Sequence, residues 1–144
     1  MSAIHELLRG TDLFSGLSSQ ECARIVERGA TDRASAGHQF TVQGVADAGL
    51  QVITEGTADV FVHAVHVRQL GVGDYFGEVS LVDDAPRSAT IVAGQGGCTT
   101  LLISPVVFWE AVDGHPQVAR KLLRGLAGRL RNSEDALWAA RSAG

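Results

Sequence analysis

Two charged side chains of opposite sign carry the chemistry of this chain: Glu78 and Arg87, within FGEVSLVDDAPRSATI at residues 76–91. A carboxylate only accepts hydrogen bonds, whereas a guanidinium presents a planar fork of donors matched to phosphate oxygens. Gly77, just before the carboxylate, allows close approach of backbone to a ligand or a positive φ, and Ser88 sets a hydroxyl beside the arginine. This is a site for an anionic ligand that bears sugar hydroxyls. A helix between the two charges would add unpaired backbone N–H groups and the positive end of its dipole. The phosphate therefore belongs on the arginine, in a charge-assisted pair roughly twice as strong as a neutral hydrogen bond. Glu78 would repel phosphate, so it reads as a sugar ligand. The alternative, an exposed salt bridge, is worth only about 0–1 kcal/mol and leaves the glycine, proline and small residues in register unexplained.

FGE, the triplet Val79 to Leu81, the polar insert Val82 to Ala85 and then PRSAT resemble the phosphate-binding cassette of the cyclic nucleotide-binding domain. The resemblance implies an α+β fold: a β jelly roll (double-stranded β-helix) barrel with N-terminal helices and a C-terminal helical lid. It also implies a ligand-binding set of Phe76, Gly77, Glu78, Val79, Ser80, Arg87, Ser88 and Ala89. In that set Glu78 holds the ribose 2′-hydroxyl and Arg87 the cyclic phosphate. Gly77 and Val79 supply backbone contacts, and Ser88 a hydroxyl on the phosphate or base side. The run RSAT looks like bacterial cAMP binders, so cAMP is the expected ligand and cGMP the alternative. A side chain of the C-terminal helix closes the pocket in this family. Trp138 is a candidate to stack on a purine, and Arg131 or Asn132 to hydrogen-bond it; Arg129 lies in the same stretch. The implied role is a regulatory sensor whose C-terminal helices move on ligand binding, read by an effector domain or partner protein. The rival role is an interaction or homodimerisation module without a nucleotide ligand.

Composition narrows the field. A length of 144 residues suits one domain, here 1–144, and 45% apolar against 19% charged residues argues for a folded globule. A net charge of −4 offers no electrostatic footprint for direct nucleic-acid contact. No apolar run is long enough to span a bilayer, and Met1 to Gly10 lacks the pattern of a signal peptide, so the expected location is the cytoplasm. Cys22 and Cys98 have neither metal-site spacing nor a disulfide framework and read as core thiols. His63 and His66 flank a tight hairpin turn and read as exposed residues rather than a metal pair; Asp83 and Asp84 read as solvated. No nucleophile elbow, catalytic triad order or Walker loop is present, so no catalytic residue is assigned.

The positioning elements follow from periodicity. Helices are expected over 4–29, with a capping box from Ser18 to Glu21 and a stop at Gly29. Period-two runs at 38–44, 50–56, 58–63, 65–70, 88–93 and 99–104 predict the strands of a jelly roll over 37–103. Helices follow over 105–140, opened by Pro105 and Pro116. Val118, Leu122, Leu126 and Leu130 predict one apolar stripe, Gly125 and Gly128 a hinge or close packing on the barrel, and Asn132–Ser133 a break before a last short helix.

Overall fold

The structure, a computed structural model, describes residues 3–143; Met1, Ser2 and Gly144 of the expected domain lie outside them. Two helices come first, α1 (Ala3–Gly10) and α2 (Ser19–Arg28). The Glu21 amide donates to Ser18 Oγ at 3.2 Å and the Ser18 amide to Glu21 Oε1 at 2.8 Å, the reciprocal cap its sequence predicts. Between the helices, the turn at 12–17 buries Leu13, Phe14 and Leu17.

Six strands follow: β1 (Ala30–Ala34), β2 (Gln39–Thr41), β3 (Leu50–Val62), β4 (Val65–Leu70), β5 (Tyr75–Phe76) and β6 (Thr90–Ile103). The short helix α3 (Glu78–Asp83) separates the last two, and α4 (Pro105–Gly114) and α5 (Pro116–Ala143) end the described chain. All pairings are antiparallel along the path β1-β6-β3-β4, with β2 added to β6 and β5 to β3. The expected jelly roll is thus present as an antiparallel sheet flanked by helices, and its hydrogen-bonded ladder does not close into a ring.

Several expected boundaries are corrected. The runs at 50–56 and 58–63 form the single strand β3, and those at 88–93 and 99–104 the single strand β6. Their glycines mark bulges, not ends. The β3–β6 register shifts between Ile53 and Glu55 and again between Gly56 and Ala58. Gly56, at φ +81°, lies so close to β6 that a Cβ would sit 2.2 Å from the Gly97 carbonyl oxygen. The sheet also starts before residue 37, because β1 is a largely polar strand without period-two signal, and β5 is too short to have one. At the other end α5 runs unbroken through Asn132 and Ser133. Both side chains are exposed, their cost in a helix interior is about 0.5 kcal/mol each, and a cap acts only where the backbone already leaves helical geometry.

Bending at the bulges hands the side chains of β3 and β6 from one core to another. Leu50, Val52, Leu101 and Ile103 pack with the helices through Phe14, Phe108, Val118 and Leu122. Ile53, Ala58, Val60, Phe76, Ile91 and Cys98 fill the inside of the sheet. Both cysteines are free and buried, as expected of core thiols, and burial pushes the Cys98 thiol up to about 11.

Gly56→Ala combines a left-handed φ with a backbone clash. It is expected to lower stability by at least about 1–3 kcal/mol, measured as a reduced urea midpoint with an unchanged slope.

Candidate functional site

The cassette is built on one backbone conformation. Gly77, at φ +93°, caps α3, and a Cβ there would lie 2.2 Å from the Gly49 carbonyl oxygen and 2.8 Å from Arg87 Nη1. Only glycine brings α3 this close to the loop before β3. Glu78 is then the first residue of α3 and is 1% exposed. At the far end of α3, Asp84 takes a left-handed φ of 56° and donates its N–H to the Ser80 carbonyl, turning the chain back toward Arg87. Asp83 and Asp84 are exposed, with Asp83 Oδ1 accepting the Ala85 amide.

Arg87 is held from several directions. Its backbone pairs with the loop before β3, Arg87 N–H donating to Val45 O at 3.0 Å and Arg87 O accepting from Gly44 at 2.9 Å. Its Nη1 donates to Gly49 O at 3.0 Å, to Ser80 Oγ at 3.1 Å and to Gly77 O at 3.4 Å. Nη2 lies 3.7 Å from Asp47 Oδ2. Burial pulls the Arg87 pKa down, and Asp47 offsets part of that. Nε is buried and makes no hydrogen bond.

Glu78 is gripped from outside the cassette. Its Oε1 accepts from Arg129 Nη1 of α5, while Oε2 is buried without a partner. The Arg129 guanidinium also stands 6.0 Å from the centre of the Tyr75 ring. Burial pulls its pKa down, and the like charge of Arg68 adds to that. A close approach of α5 makes this reach possible: a methyl at Gly125 would sit 3.0 Å from Tyr75 Oη. Gly125 therefore fits the expectation of tight packing, whereas Gly128 faces open space.

One cavity of about 30 Å³ collects these groups. All eight residues of the implied set, Phe76, Gly77, Glu78, Val79, Ser80, Arg87, Ser88 and Ala89, line it, together with Thr41, Arg68, Ile91 and Arg129. Arg131, Asn132 and Trp138 do not reach it; all three are exposed, Trp138 by 73%. The residue that α5 sends into the site is Arg129. Its spacing from Leu122 and Leu126 sets it on the buried face of the helix, while Arg131 falls a half-turn away. Arg68, in turn, was legible only as a charge within a strand pattern, because nothing local says which strand edge meets the cassette. The four-residue leucine stripe also needs correction. Val118 and Leu122 are buried and Leu126 partly so, but Leu130 is 60% exposed, because steps of four drift off a 3.6-residue period. Leu123, Leu130 and Leu137 instead form an exposed row.

The histidine pair does not converge on the cavity. His63 and Ala64 form a two-residue turn with both φ values positive, the geometry that joins adjacent twisted strands. His63 lies beside Gln43 and His66 pairs with Asp59, and both are exposed. Among the described residues no cluster of metal-ligating side chains is found, and no helix is long and apolar enough to cross a membrane.

A model of the cyclic nucleotide-binding domain matches residues 32–115. The chain belongs to the cyclic nucleotide-binding domain family. It is 37% identical over 112 residues to a cAMP-dependent protein kinase regulatory subunit of Eremothecium gossypii, covering 71% of this chain and 24% of that protein. It is 26% identical over 102 residues to a cGMP-dependent protein kinase of Plasmodium berghei, covering 71% of this chain and 12% of that one. The solved structure of the Thermus thermophilus catabolite activator protein superposes with a TM-score of 0.79 at 28% identity, covering 88% of this chain and 62% of the other. The chain thus spans a quarter or less of the length of these two kinase relatives.

Arg129→Ala leaves the Glu78 carboxylate buried and unpartnered. It is expected to cost about 1–3 kcal/mol in thermal or urea melts, and to speed hydrogen exchange in α5 beyond Leu126 while leaving amides near Val118 unchanged.

Proposed function

We propose that this member of the family is a non-catalytic sensor that binds a cyclic purine nucleotide and reports its presence through α5. The observation that carries the reading is a pair of buried, unpartnered polar atoms on one cavity: Glu78 Oε2, an acceptor, and Arg87 Nε, a donor. Buried polar groups are nearly always hydrogen-bonded, so an orphan of each type on one small cavity marks a place for a ligand with both kinds of group. A ribose 2′-hydroxyl satisfies the first and a cyclic phosphate the second. cAMP, expected from the RSAT run, and cGMP both present this pair.

Occupancy requires movement. A cavity of about 30 Å³ is far below the roughly 300–1,000 Å³ of small-molecule sites, and Arg129 stands on its wall. In the proposal, entry of the nucleotide shifts α5, and Leu81 of α3 repacks with it, since Leu81, Leu122 and Leu126 share one core. The ligand shifts this equilibrium only by as much as it binds the open arrangement better. An effector domain or partner protein in the cytoplasm would read the outcome.

A second reading, an interaction or homodimerisation module, draws on the exposed row Leu123, Leu130 and Leu137, whose seven-residue spacing suits a partner helix. Thermal melting separates the two, because a ligand of the native state must raise stability by RT ln(1 + [L]/Kd). A clear rise in Tm with saturating cyclic nucleotide is expected, and its absence would favour the module.

Calorimetric titration then tests the residues. Arg87→Ala is expected to weaken binding by about tenfold or more, the loss of one charge-assisted contact. Glu78→Ala is expected to lessen discrimination against the 2′-deoxy nucleotide. Equal curves for the two variants and the native protein would remove the assignment.

A further inference from the structure

Two ion pairs tie α2 to α4. Glu21, in the first turn of α2, pairs with His115 at the end of α4, and Arg28, the last residue of α2, pairs with Glu110. Between these bridges the seam is not filled, although protein interiors are close-packed. A cavity of about 280 Å³ opens there, near the lower end of the roughly 300–1,000 Å³ of small-molecule sites. It shares no lining residue with the cassette cavity. On the α4 side Ala111 and Gly114 are too small to close it. Gly114 has no left-handed φ, and a Cβ there would meet nothing within 4 Å, so neither its backbone nor a neighbour demands the missing side chain.

The floor and the rim of this cavity differ in kind. Leu17, Ile25 and Val107 border it with side chains that are otherwise buried, an apolar floor. On the rim Arg24 lies between Glu21 and Arg28, at steps of three and four residues that keep all three on one face of α2. His115 and Arg28 take up the two rim carboxylates, whereas among the described residues no hydrogen bond or ion pair holds the Arg24 guanidinium. Both carboxylates are held ionised. Hydrogen bonds from Ser18, and then the charge of His115, pull the Glu21 pKa down, and a hydrogen bond from Arg28 pulls that of Glu110 down. The unpaired fork of Arg24 matches a carboxylate in bidentate geometry. A phosphate dianion would set a second negative charge beside Glu21 and Glu110, so a monoanion suits this rim better.

We propose that the space between α2 and α4 is a second ligand site, separate from the cassette, which takes a small monocarboxylate with an apolar body. The carboxylate pairs with Arg24, and the apolar body lies against Leu17, Ile25 and Val107 in the room left by Ala111 and Gly114. A protein segment is a poorer occupant, because a stable protein interface needs on the order of 1,000 Å² and this opening is only as large as a small molecule.

Calorimetric titration of the native protein, Arg24→Ala and Gly114→Leu tests the site, with octanoate, butanoate and octanol as probes. The native protein is expected to bind octanoate saturably, with affinity rising about two- to fourfold per methylene from butanoate. Octanol, which has the chain without the charge, should bind about tenfold or more weakly. Arg24→Ala should lower octanoate to the level of octanol and leave octanol unchanged. Gly114→Leu fills the space and should weaken both. Absence of saturable octanoate binding, equal binding of octanoate and octanol, or octanoate binding that either variant leaves unchanged overturns the proposal. Because Arg24 is exposed, its variant keeps the test open even if Gly114→Leu unfolds, and a melting curve of each variant precedes its titration.

Discussion

A guanidinium that is 95% buried must be surrounded by acceptors, and the acceptors around Arg87 come from separate parts of the chain. The Gly49 carbonyl belongs to the loop before β3, the Gly77 carbonyl to the turn after β5, and Ser80 Oγ to α3. Holding these in place requires β3 beside β5, α3 starting on a left-handed glycine, and the 44–45 backbone paired with residue 87. The cation is therefore the clamp that gives the cassette its shape. Only part of its donor capacity is used up by the clamp, and Nε is left for something else.

Glu78 shows the complementary economy. One carboxylate oxygen anchors α5 through Arg129 and the other has no partner. A single buried side chain thus touches both the cassette cavity and α5. Beyond Arg129, α5 is exposed throughout its described length, so little else ties its far end to the sheet. The link between the cavity and α5 is thus one direct ion pair, with no intervening residue.

Legibility followed chain distance. The cassette was readable because its glycine, carboxylate, small residues and arginine lie in one stretch and all line one cavity. The capping box at Ser18 and Glu21 was readable for the same reason, as both partners sit within one turn. Strand extents were less so. Gly56 looks like an end in a period-two pattern, yet it lets a long strand bend against its neighbour. That Arg129 rather than Trp138 lines the cavity was not legible for a different reason: an aromatic is the obvious partner for a purine, but the face of a 28-residue helix that meets the sheet depends on where Val118 and Leu122 pack.

By itself the sequence determined the local chemistry: a left-handed glycine, an acceptor and a donor fork, and the helices and strands that periodicity and caps dictate, because each depends on residues adjacent in the chain. Tertiary structure alone decided which distant side chains join them. Arg129 and Arg68 reach the cavity from α5 and β4 because β3 and β6 bend at their bulges and α5 lies close against Tyr75. Such placement is the outcome of packing two cores at once, and no single segment contains it.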